Sequence, residues 1–390
     1  MNVTSIQDQL IDQELDGWLF FDHHHRDPLA YRVLGLDPNL HASRRWYYFV
    51  PAKGEPRKLV HRIESRNLDT LQGAKHVYSS WEEQTSALSE LLAGSKRVAM
   101  QYSPNCAIPY VSNVDGGTLE LVRSTGVEVV SSAELIQHFE ARLDSAALDS
   151  HLEAGVLVDQ VRRSAFQFIG HALRANRSVT EWDVAAFVLE AFEREGLLTE
   201  HGPIVGVNEH AGDPHYEPSP TASTPIAMGD FVLLDLWAKF QRRGAIFYDV
   251  TWTAFCGDNP LSEMTKVFGI VRDARNAAVD RVKTAFENGE KLYGFQVDDA
   301  ARTLIRNAGY GDEFVHRTGH SIGMDIHGSG ANMDNLETHD IRRVLPWSCF
   351  SIEPGIYLDN FGVRSEINMF IDATTPRVTG EQQQSLVLIS

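Results

Sequence analysis

The first 143 residues alternate short apolar runs with amphipathic stretches. Runs rich in aromatic and β-branched residues, bounded by polar residues, are typical of strands buried in a sheet. Four such runs occur, at residues 17–21, 44–52, 96–103 and 126–132. Residues 84–93 and 131–143 instead repeat apolar positions at helical spacing. Alternating strands and helices predict a sheet covered by helices, and we therefore predict an α/β domain over residues 1–144.

From residue 145 onward the pattern changes to long helices that are separated by strands. Helices are predicted at residues 145–176, 182–195, 262–286 and 297–309. Thr180, with Asp183 three residues later, predicts a capping box at the start of the second helix. Strands are predicted at residues 231–240, 245–255, 349–358 and 363–371. Two long helices followed by strands occur twice, which indicates a duplicated half-domain and an α+β fold over residues 145–390.

The charge of the chain excludes some classes of partner. The chain has 35 Lys and Arg against 53 Asp and Glu, a net charge of −18. The electrostatic field of this negative charge repels phosphate backbones and anionic lipid, so we expect neither nucleic acid nor a membrane surface as a partner. The three cysteines show no Cys-x-x-Cys spacing, which favours a reduced, cytoplasmic compartment.

Two aspartates interrupt strongly apolar strands. Asp235 lies within FVLLDLWAKF and Asp249 within AIFYDVTWTAF, and an unpaired charge in such surroundings would be costly. The segment between the two strands is polar and ends in Gly244. We therefore predict a hairpin that brings the two carboxylates together. The alternative for either residue alone is a strand-end aspartate bonded to backbone amides.

A cluster of histidines follows in the C-terminal third of the chain. His316, His320 and His327 occur within twelve residues, interspersed with Gly319 and Gly323. A lone histidine is usually a satisfied polar residue, but three among apolar and glycine positions favour a site. Glycine there allows the backbone to approach a ligand closely. By contrast, the contiguous run of residues 23–25 is predicted to be a surface run.

Two further acidic residues lie in apolar surroundings near the C-terminus. Glu353 is followed by Pro354 and a glycine, which predicts a carboxylate at a strand end on the rim of a sheet. Arg364 and Glu366 are two residues apart, so on one strand both would point to the same face. Four carboxylates and one imidazole, from Asp235, Asp249, His320, Glu353 and Glu366, can hold two divalent ions that activate one water for hydrolysis.

These motifs together resemble the pita-bread metallopeptidases (M24-like), and within them the branch of Xaa-Pro aminopeptidases and prolidases. The resemblance rests on the His-x-x-Gly-His-x-Ile-Gly-x-x-Ile-His, Ile-Glu-Pro-Gly-Ile-Tyr and Gly-Val-Arg-x-Glu runs, in this order. It is clearest from residue 145 to the C-terminus, where it implies a pita-bread fold with pseudo-twofold half-domains. The first 144 residues are similar, less specifically, to the N-terminal domain of the same branch.

The resemblance also implies roles for individual residues. Asp235 would chelate one metal ion, Asp249 and Glu366 would bridge both, and His320 and Glu353 would complete the shell of the other. Substrate-side roles fall to His215, His316 and His327, and Glu353 would move the proton. Arg364, beside a ligand carboxylate, would orient it. The implied cofactors are two divalent ions, manganese first and cobalt, zinc or iron as alternatives. The implied reaction is attack by a metal-bridging hydroxide on a short peptide with proline at the second position, and a homodimer is expected.

The chain departs from the family pattern at three places. Trp237 stands where most relatives have glycine, and Lys239 follows it. The two aspartates are fourteen residues apart, where eleven is usual, and the histidine run ends in Gly328 rather than an acid. Two alternatives therefore stay open. One is a metal-dependent lyase or amidohydrolase of the same fold that acts on a non-peptide small molecule, and the other is a non-catalytic binding protein.

Overall fold

The computed structural model describes residues 2–390 and divides into two compact units. The first unit ends at Glu140 and the second begins at Ala141, four residues before the predicted boundary. The long helix that opens the second half begins at Ser145, with the Asp144 side chain accepting from the Ala147 N–H as its N-cap.

The N-terminal unit is a mixed sheet with helices. Its helices are α1 (Val3–Asp12), α2 (Pro28–Leu34), α3 (Trp81–Leu91), α4 (Gly116–Arg123) and α5 (Ala133–Glu140). Its strands are β1 (Gly17–Asp22), β2 (Trp46–Pro51), β3 (Arg57–His61), β4 (Ala74–Tyr78), β5 (Arg97–Met100) and β6 (Glu128–Ser131). The strand order is β4-β3-β2-β1-β5-β6.

Residues 18–21 of strand β1 are all apolar because both faces of the strand are buried. Trp18 and Phe20 belong to one core and Leu19 and Phe21 to another. Helix residues complete both cores, so the predicted sheet covered by helices is confirmed.

The C-terminal unit contains four helices and eleven strands among its described residues. The helices are α6 (Ser145–Arg174), α7 (Glu181–Arg194), α8 (Ser262–Glu287) and α9 (Gly294–Asn307). The first strands are β7 (Leu197–Leu198), β8 (Ile204–Val207), β9 (Phe231–Phe240), β10 (Tyr248–Cys256) and β11 (Ser321–Ile322). The others are β12 (Cys349–Ile352), β13 (Gly355–Tyr357), β14 (Gly362–Arg364), β15 (Ile367–Ile371), β16 (Pro376–Thr379) and β17 (Val387–Ile389). The capping box predicted at Thr180 and Asp183 is present.

Two larger sheets, the two-stranded sheet of β13 and β14, and two helix pairs build this unit. One sheet has the order β17-β10-β9-β7, with β8 also paired to β9, and the other has the order β11-β12-β15-β16. Along β9, Val232 and Leu234 pack with α6 and α7, whereas Phe231 and Leu233 pack with α8 and α9. The period of two therefore places position 235 on the same side as the core of the second helix pair.

Two predicted strands are broken in the structure. The run 349–358 divides into β12 and β13 around Glu353 and Pro354, because proline cannot donate to a strand ladder. The run 363–371 divides into β14 and β15, and the Glu366 N–H bonds to the Thr251 carbonyl at 3.2 Å. The expectation that Arg364 and Glu366 share one strand is therefore wrong. No helix among residues 2–390 has the length and apolarity required to cross a bilayer.

Candidate metal centre

The hairpin of β9 and β10 brings two aspartates to one face of a sheet. The strands are antiparallel, with Asp235 opposite Thr251 and Asp249 opposite Trp237. Asp235 and Asp249 are thus diagonal neighbours on one face, within reach of each other. Both are buried. The predicted hairpin is confirmed, and both side chains point away from the α6 and α7 core.

His320 lies on a chain segment that approaches β12 very closely. A Cβ atom on Gly319 would lie 2.0 Å from the Ser351 carbonyl oxygen, so only glycine fits there. The His320 N–H bonds to Ser351 Oγ at 2.9 Å, and its Nδ1 lies 3.2 Å from the Ser321 carbonyl oxygen. A carbonyl only accepts, so Nδ1 bears the proton of the neutral ring. The Nε2 lone pair then faces Asp249 Oδ2 at 3.4 Å and Glu353 Oε1 at 3.3 Å.

Two glutamates complete the group, and each lies where a predicted strand is interrupted in the structure. Glu353 directly follows β12, and its Oε1 accepts from Ser351 Oγ at 3.0 Å. Glu366 is buried between β14 and β15, and its Oε2 accepts from Thr251 Oγ1 at 2.7 Å. One ligand atom from each of Asp249, His320 and Glu366 lies within 4.8 Å of the others.

Three carboxylate oxygens in this group are buried and have no hydrogen-bond partner: Asp235 Oδ1, Asp249 Oδ1 and Glu366 Oε1. A buried hydrogen-bond acceptor without a partner destabilises the folded protein. Besides these three oxygens, the site contains the Nε2 lone pair of His320, which faces one oxygen of Asp249 and one of Glu353. A histidine that donates its other N–H to a backbone carbonyl is the usual arrangement of a metal ligand. The donor set therefore fits divalent cations, which prefer carboxylate and imidazole ligands.

The electrostatics of the group agree with this fit. Burial, followed by the adjacent carboxylates, raises the pKa of Asp235 to about 7, although Arg364 acts in the opposite direction. Burial and the charge of Asp249 raise the pKa of Glu366 well above its ordinary value. Burial also raises the pKa of Asp249. The protein without added cations thus penalises the negative charge that it concentrates here.

Arg364 connects several parts of the site. Its guanidinium pairs with Asp235 Oδ2, donates from Nε to Thr251 Oγ1 at 3.0 Å, and donates from Nη1 to Tyr357 Oη at 3.0 Å. Nη1 also lies 3.3 Å from the Pro214 carbonyl oxygen. Arg364 does not contact Glu366 through a hydrogen bond. Instead Thr251 lies between them and bonds to both.

The three histidines with expected substrate-side roles differ in their surroundings. His316 has both ring nitrogens engaged, Nδ1 with the Arg317 carbonyl oxygen and Nε2 with Tyr357 Oη, each at 2.7 Å. Burial lowers the pKa of His316 to about 4. His327 is exposed and its ring centroid lies 4.5 Å from that of His320, and the proximity of the His320 ring lowers the pKa of His327. His215 is exposed on the loop before β9.

Sequence reasoning missed the side chains that organise this site. Thr251 and Tyr357 connect Arg364 to Glu366 and His316. Asn368 brackets Asp249, accepting from its N–H and donating to its carbonyl oxygen. Thr251 lies two residues after Asp249 on the same strand, so the period of two placed it on the ligand face.

Glu181 is a further residue that sequence reasoning missed. It is fully buried at the start of α7, where an acid is usually read as a favourable helix-end charge. Its carboxylate accepts from the Val207 and Thr224 N–H groups at 2.8 and 2.7 Å and from Tyr216 Oη at 2.7 Å. It also lies 2.9 Å from His210 Nδ1. Glu181 thereby fixes both ends of the loop that contains His215.

The departures from the family pattern have structural explanations. Trp237 is half-buried directly opposite Asp249, and Lys239 is engaged with the Met324 carbonyl and lies 4.5 Å from the Phe247 ring centroid. In the longer hairpin, the Phe247 N–H bonds to the Gly323 carbonyl oxygen at 3.1 Å. A Cβ atom at Gly328 would lie 2.9 Å from Ser321 Oγ, so an acid does not fit there without movement.

Comparison with known proteins identifies what this chain is similar to. The sequence profile described as metallopeptidase family M24 matches residues 149–373. A probable dipeptidase PepE of Mycobacterium tuberculosis H37Rv is 28% identical over 249 residues, covering 64% of this chain and 60% of that protein. An Xaa-Pro dipeptidase of Lactobacillus delbrueckii subsp. lactis is 34% identical over 207 residues, covering 52% of this chain and 50% of that protein. The matched region thus spans only about half to three fifths of these relatives.

A solved structure extends the likeness to the whole chain at the level of the fold. The dipeptidase PepE from Mycobacterium ulcerans superposes with a TM-score of 0.72 at 23% identity, covering 99% of this chain and 96% of that chain. The predicted α+β pita-bread fold is confirmed.

Proposed function

Because the chain belongs to metallopeptidase family M24, we propose that it is a metal-dependent hydrolase that cleaves the bond preceding proline in short peptides. The observation that supports this most strongly is the grouping of Asp249, His320 and Glu366, whose ligand atoms lie within 4.8 Å of one another, together with three buried carboxylate oxygens of the site that have no hydrogen-bond partner. Relatives that bear the name Xaa-Pro dipeptidase or putative Xaa-Pro aminopeptidase support the proline preference.

In this proposal, five side chains hold two divalent ions: Asp235, Asp249, His320, Glu353 and Glu366. Bound there, the ions would lower the pKa of a coordinated water from 15.7 to about 7 and polarise the scissile carbonyl. Manganese is the ion of choice for the test, with cobalt, zinc and iron as alternatives.

Glu353 also has a role in proton transfer, and His215, His327, His316 and Arg364 bind or orient the substrate. Glu353 accepts the proton of the nucleophile and passes it to the leaving nitrogen, which for an Xaa-Pro bond is the ring nitrogen of proline. The exposed rings of His215 and His327 make no hydrogen bond to any residue in the range 2–390, so each can donate to a substrate oxygen. His316 and Arg364 share the Tyr357 hydroxyl, which holds both in place beside the carboxylates.

The test is hydrolysis of an Xaa-Pro dipeptide and an Xaa-Pro-Yaa tripeptide by manganese-loaded protein, with a chelator-treated control. Cleavage of the dipeptide alone identifies a dipeptidase, and cleavage of the tripeptide an aminopeptidase. The Asp249→Asn variant should lose metal-dependent turnover, and undiminished turnover would defeat the proposal. If neither peptide is cleaved by protein that holds two metal ions per chain, the metal site stands and the substrate is another compound. Sedimentation of the same sample tests the expected homodimer.

A further inference from the structure

The N-terminal unit contains a cavity that its own side chains make cationic. The cavity has a volume of about 520 Å³, within the range of small-molecule sites. Its wall includes His23, His24, Arg26, Arg44, Arg45 and Trp81. All of the lining residues lie between positions 21 and 118.

The positive charge in this cavity is largely uncompensated. Asp115 is its only acidic lining residue, and it already accepts from the N–H and the hydroxyl of Thr118. Arg26 Nη1 lies 3.5 Å from Asp115 Oδ2, but both side chains are substantially exposed, so this pair is weak. The guanidinium groups of Arg44 and Arg45 have no carboxylate partner among residues 2–390. A local excess of cations is notable in a chain of net charge −18.

One wall of the cavity is a strained loop that a buried carboxylate holds in place. Asp22 is fully buried, and it accepts the N–H groups of His25, Arg26 and Asp27 at 3.0, 2.7 and 3.2 Å. His24 and His25 have φ angles of 61° and 56°, a left-handed conformation that is uncommon for histidine and costs free energy. The histidine run is exposed at positions 24 and 25, as predicted for a surface run, but its backbone is not extended.

The facing wall is held in a comparable way. Glu64 accepts the N–H groups of Ser43 and Arg44 at 3.0 and 3.1 Å, and Tyr78 Oη donates to the Arg45 carbonyl oxygen at 2.8 Å. These bonds fix the backbone of Arg44 and Arg45 without engaging either guanidinium group, although Arg44 Nη1 donates to the carbonyl oxygen and the hydroxyl of Ser43 at 3.1 and 3.2 Å. Because the backbone on this wall is already fixed, the protein loses less conformational entropy when a ligand binds to the guanidinium groups.

The cations are close enough to act on one another. Burial, followed by the charges of His24, Arg26 and Arg45, lowers the pKa of His23. Arginines from both walls thus act on a single imidazole. An oxyanion in the cavity would relieve this repulsion.

We propose that this cavity of the N-terminal unit binds a small organic or inorganic oxyanion, carboxylate or phosphate, through Arg44 and Arg45. The planar guanidinium fork donates two parallel hydrogen bonds to either group. Arg26 and the imidazoles of the loop contribute further donors. The side chain of Trp81, 71% exposed on the cavity wall, reports on occupancy.

Calorimetric titration of the full chain with inorganic phosphate and, separately, with succinate tests this. The protein is first treated with chelator and dialysed, so that metal-bound anion does not contribute. We expect saturable binding of at least one anion that weakens as salt is added. The double variant Arg44→Gln, Arg45→Gln should bind about tenfold or more weakly, a change of about 1.4 kcal/mol or more. Tighter phosphate binding assigns a phosphate ligand, and tighter succinate binding a carboxylate.

A matched control distinguishes binding in this cavity from nonspecific attraction of anions to the positive charge of the unit. The double variant Arg66→Gln, Arg123→Gln removes the same charge from the same unit outside the cavity wall, and it should bind like the unaltered protein. Trp81→Phe should abolish the fluorescence change on binding, which tests whether the anion occupies the cavity beside Trp81. Absence of binding for both anions at millimolar concentration, or equal weakening by the two double variants, would overturn the proposal.

Discussion

The Arg364 guanidinium pairs with only one oxygen of Asp235, and the other oxygen is buried without a partner. The ion pair therefore orients the carboxylate and leaves Oδ1 available. The planar guanidinium of Arg364 also donates hydrogen bonds to Thr251 and Tyr357. A lysine ammonium cannot make this set of bonds in the same geometry.

Arg364→Lys should therefore weaken metal binding with every proposed ligand still present. Loss of a residue that orients a ligand typically lowers metal affinity 10- to 100-fold. Calorimetric titration of the apo protein with Mn²⁺ measures this. Arg306→Lys, an exposed change at the end of α9, is the control. Equal Mn²⁺ affinity in Arg364→Lys and the control would show that the pair is only structural.

The repulsion among the carboxylates predicts opposite effects of one substitution in the apo and metal-bound proteins. Glu366→Gln removes a buried charge and keeps an acceptor for Thr251. The apo variant should therefore be more stable than the apo parent, by on the order of 1 kcal/mol. Metal at 100 times Kd should stabilise the parent by about 2.7 kcal/mol and the variant much less. Calorimetric unfolding with and without Mn²⁺ measures both, and equal stabilisation of the two proteins would remove Glu366 from the ligand set.

The sequence predicted the grouping of the proposed ligands better than the framework around them. Asp235 and Asp249 stand out because a charge interrupts an apolar period-two pattern, and the hairpin follows from the polar segment between them. The break at Glu353 has a signal in the sequence, because Pro354 and a glycine follow it. The break at Glu366 has none, since the change of partner strand there depends on distant segments. Glu181 was missed for the same reason: its burial arises from a loop of residues 207–224 that folds over it.

Glu181→Gln should lower activity without loss of metal. An amide provides fewer acceptor sites than the carboxylate, which receives two N–H groups and the Tyr216 hydroxyl. Hydrogen bonds to a charged group contribute about 1.5–3 kcal/mol each, so the loop that contains His215 should become mobile. We expect kcat/KM to fall about tenfold or more while metal content stays at the parental level. The control is Glu190→Gln, an exposed change on the same helix, and a similar loss there would argue against loop positioning.

Trp237 should restrict the size of the substrate. It lies opposite Asp249 on the ligand face, at a position where glycine would leave open space. Trp237→Ala should raise kcat/KM for Phe-Pro relative to Ala-Pro about tenfold, the effect of one to two methylene groups in a pocket. Trp182→Ala, another partly buried tryptophan outside the ligand face, controls for loss of stability. An unchanged substrate ratio would place Trp237 outside the substrate pocket.

His151 should make the fold sensitive to acid. It is fully buried, with Nδ1 2.6 Å from the Phe247 carbonyl oxygen and Nε2 2.8 Å from Thr379 Oγ1. Burial lowers its pKa from 6.5 to about 4. The unfolded chain therefore binds this proton more readily than the folded one. Stability from this residue is complete above pH 6.5 and is lost as the pH falls, by about 1.4 kcal/mol per unit until pH 4.

Urea unfolding of chelator-treated protein between pH 7 and pH 4 isolates this effect, since metal release then plays no part. His151→Gln retains a donor and an acceptor but cannot titrate. The free energy of unfolding of the parent should fall more steeply with acid than that of the variant, and the difference between them should grow by up to about 1.4 kcal/mol per pH unit below pH 6.5. His171→Gln, on the same helix but exposed, should follow the parent. Parallel curves for the parent and His151→Gln would mean that acid unfolding depends on the carboxylates alone.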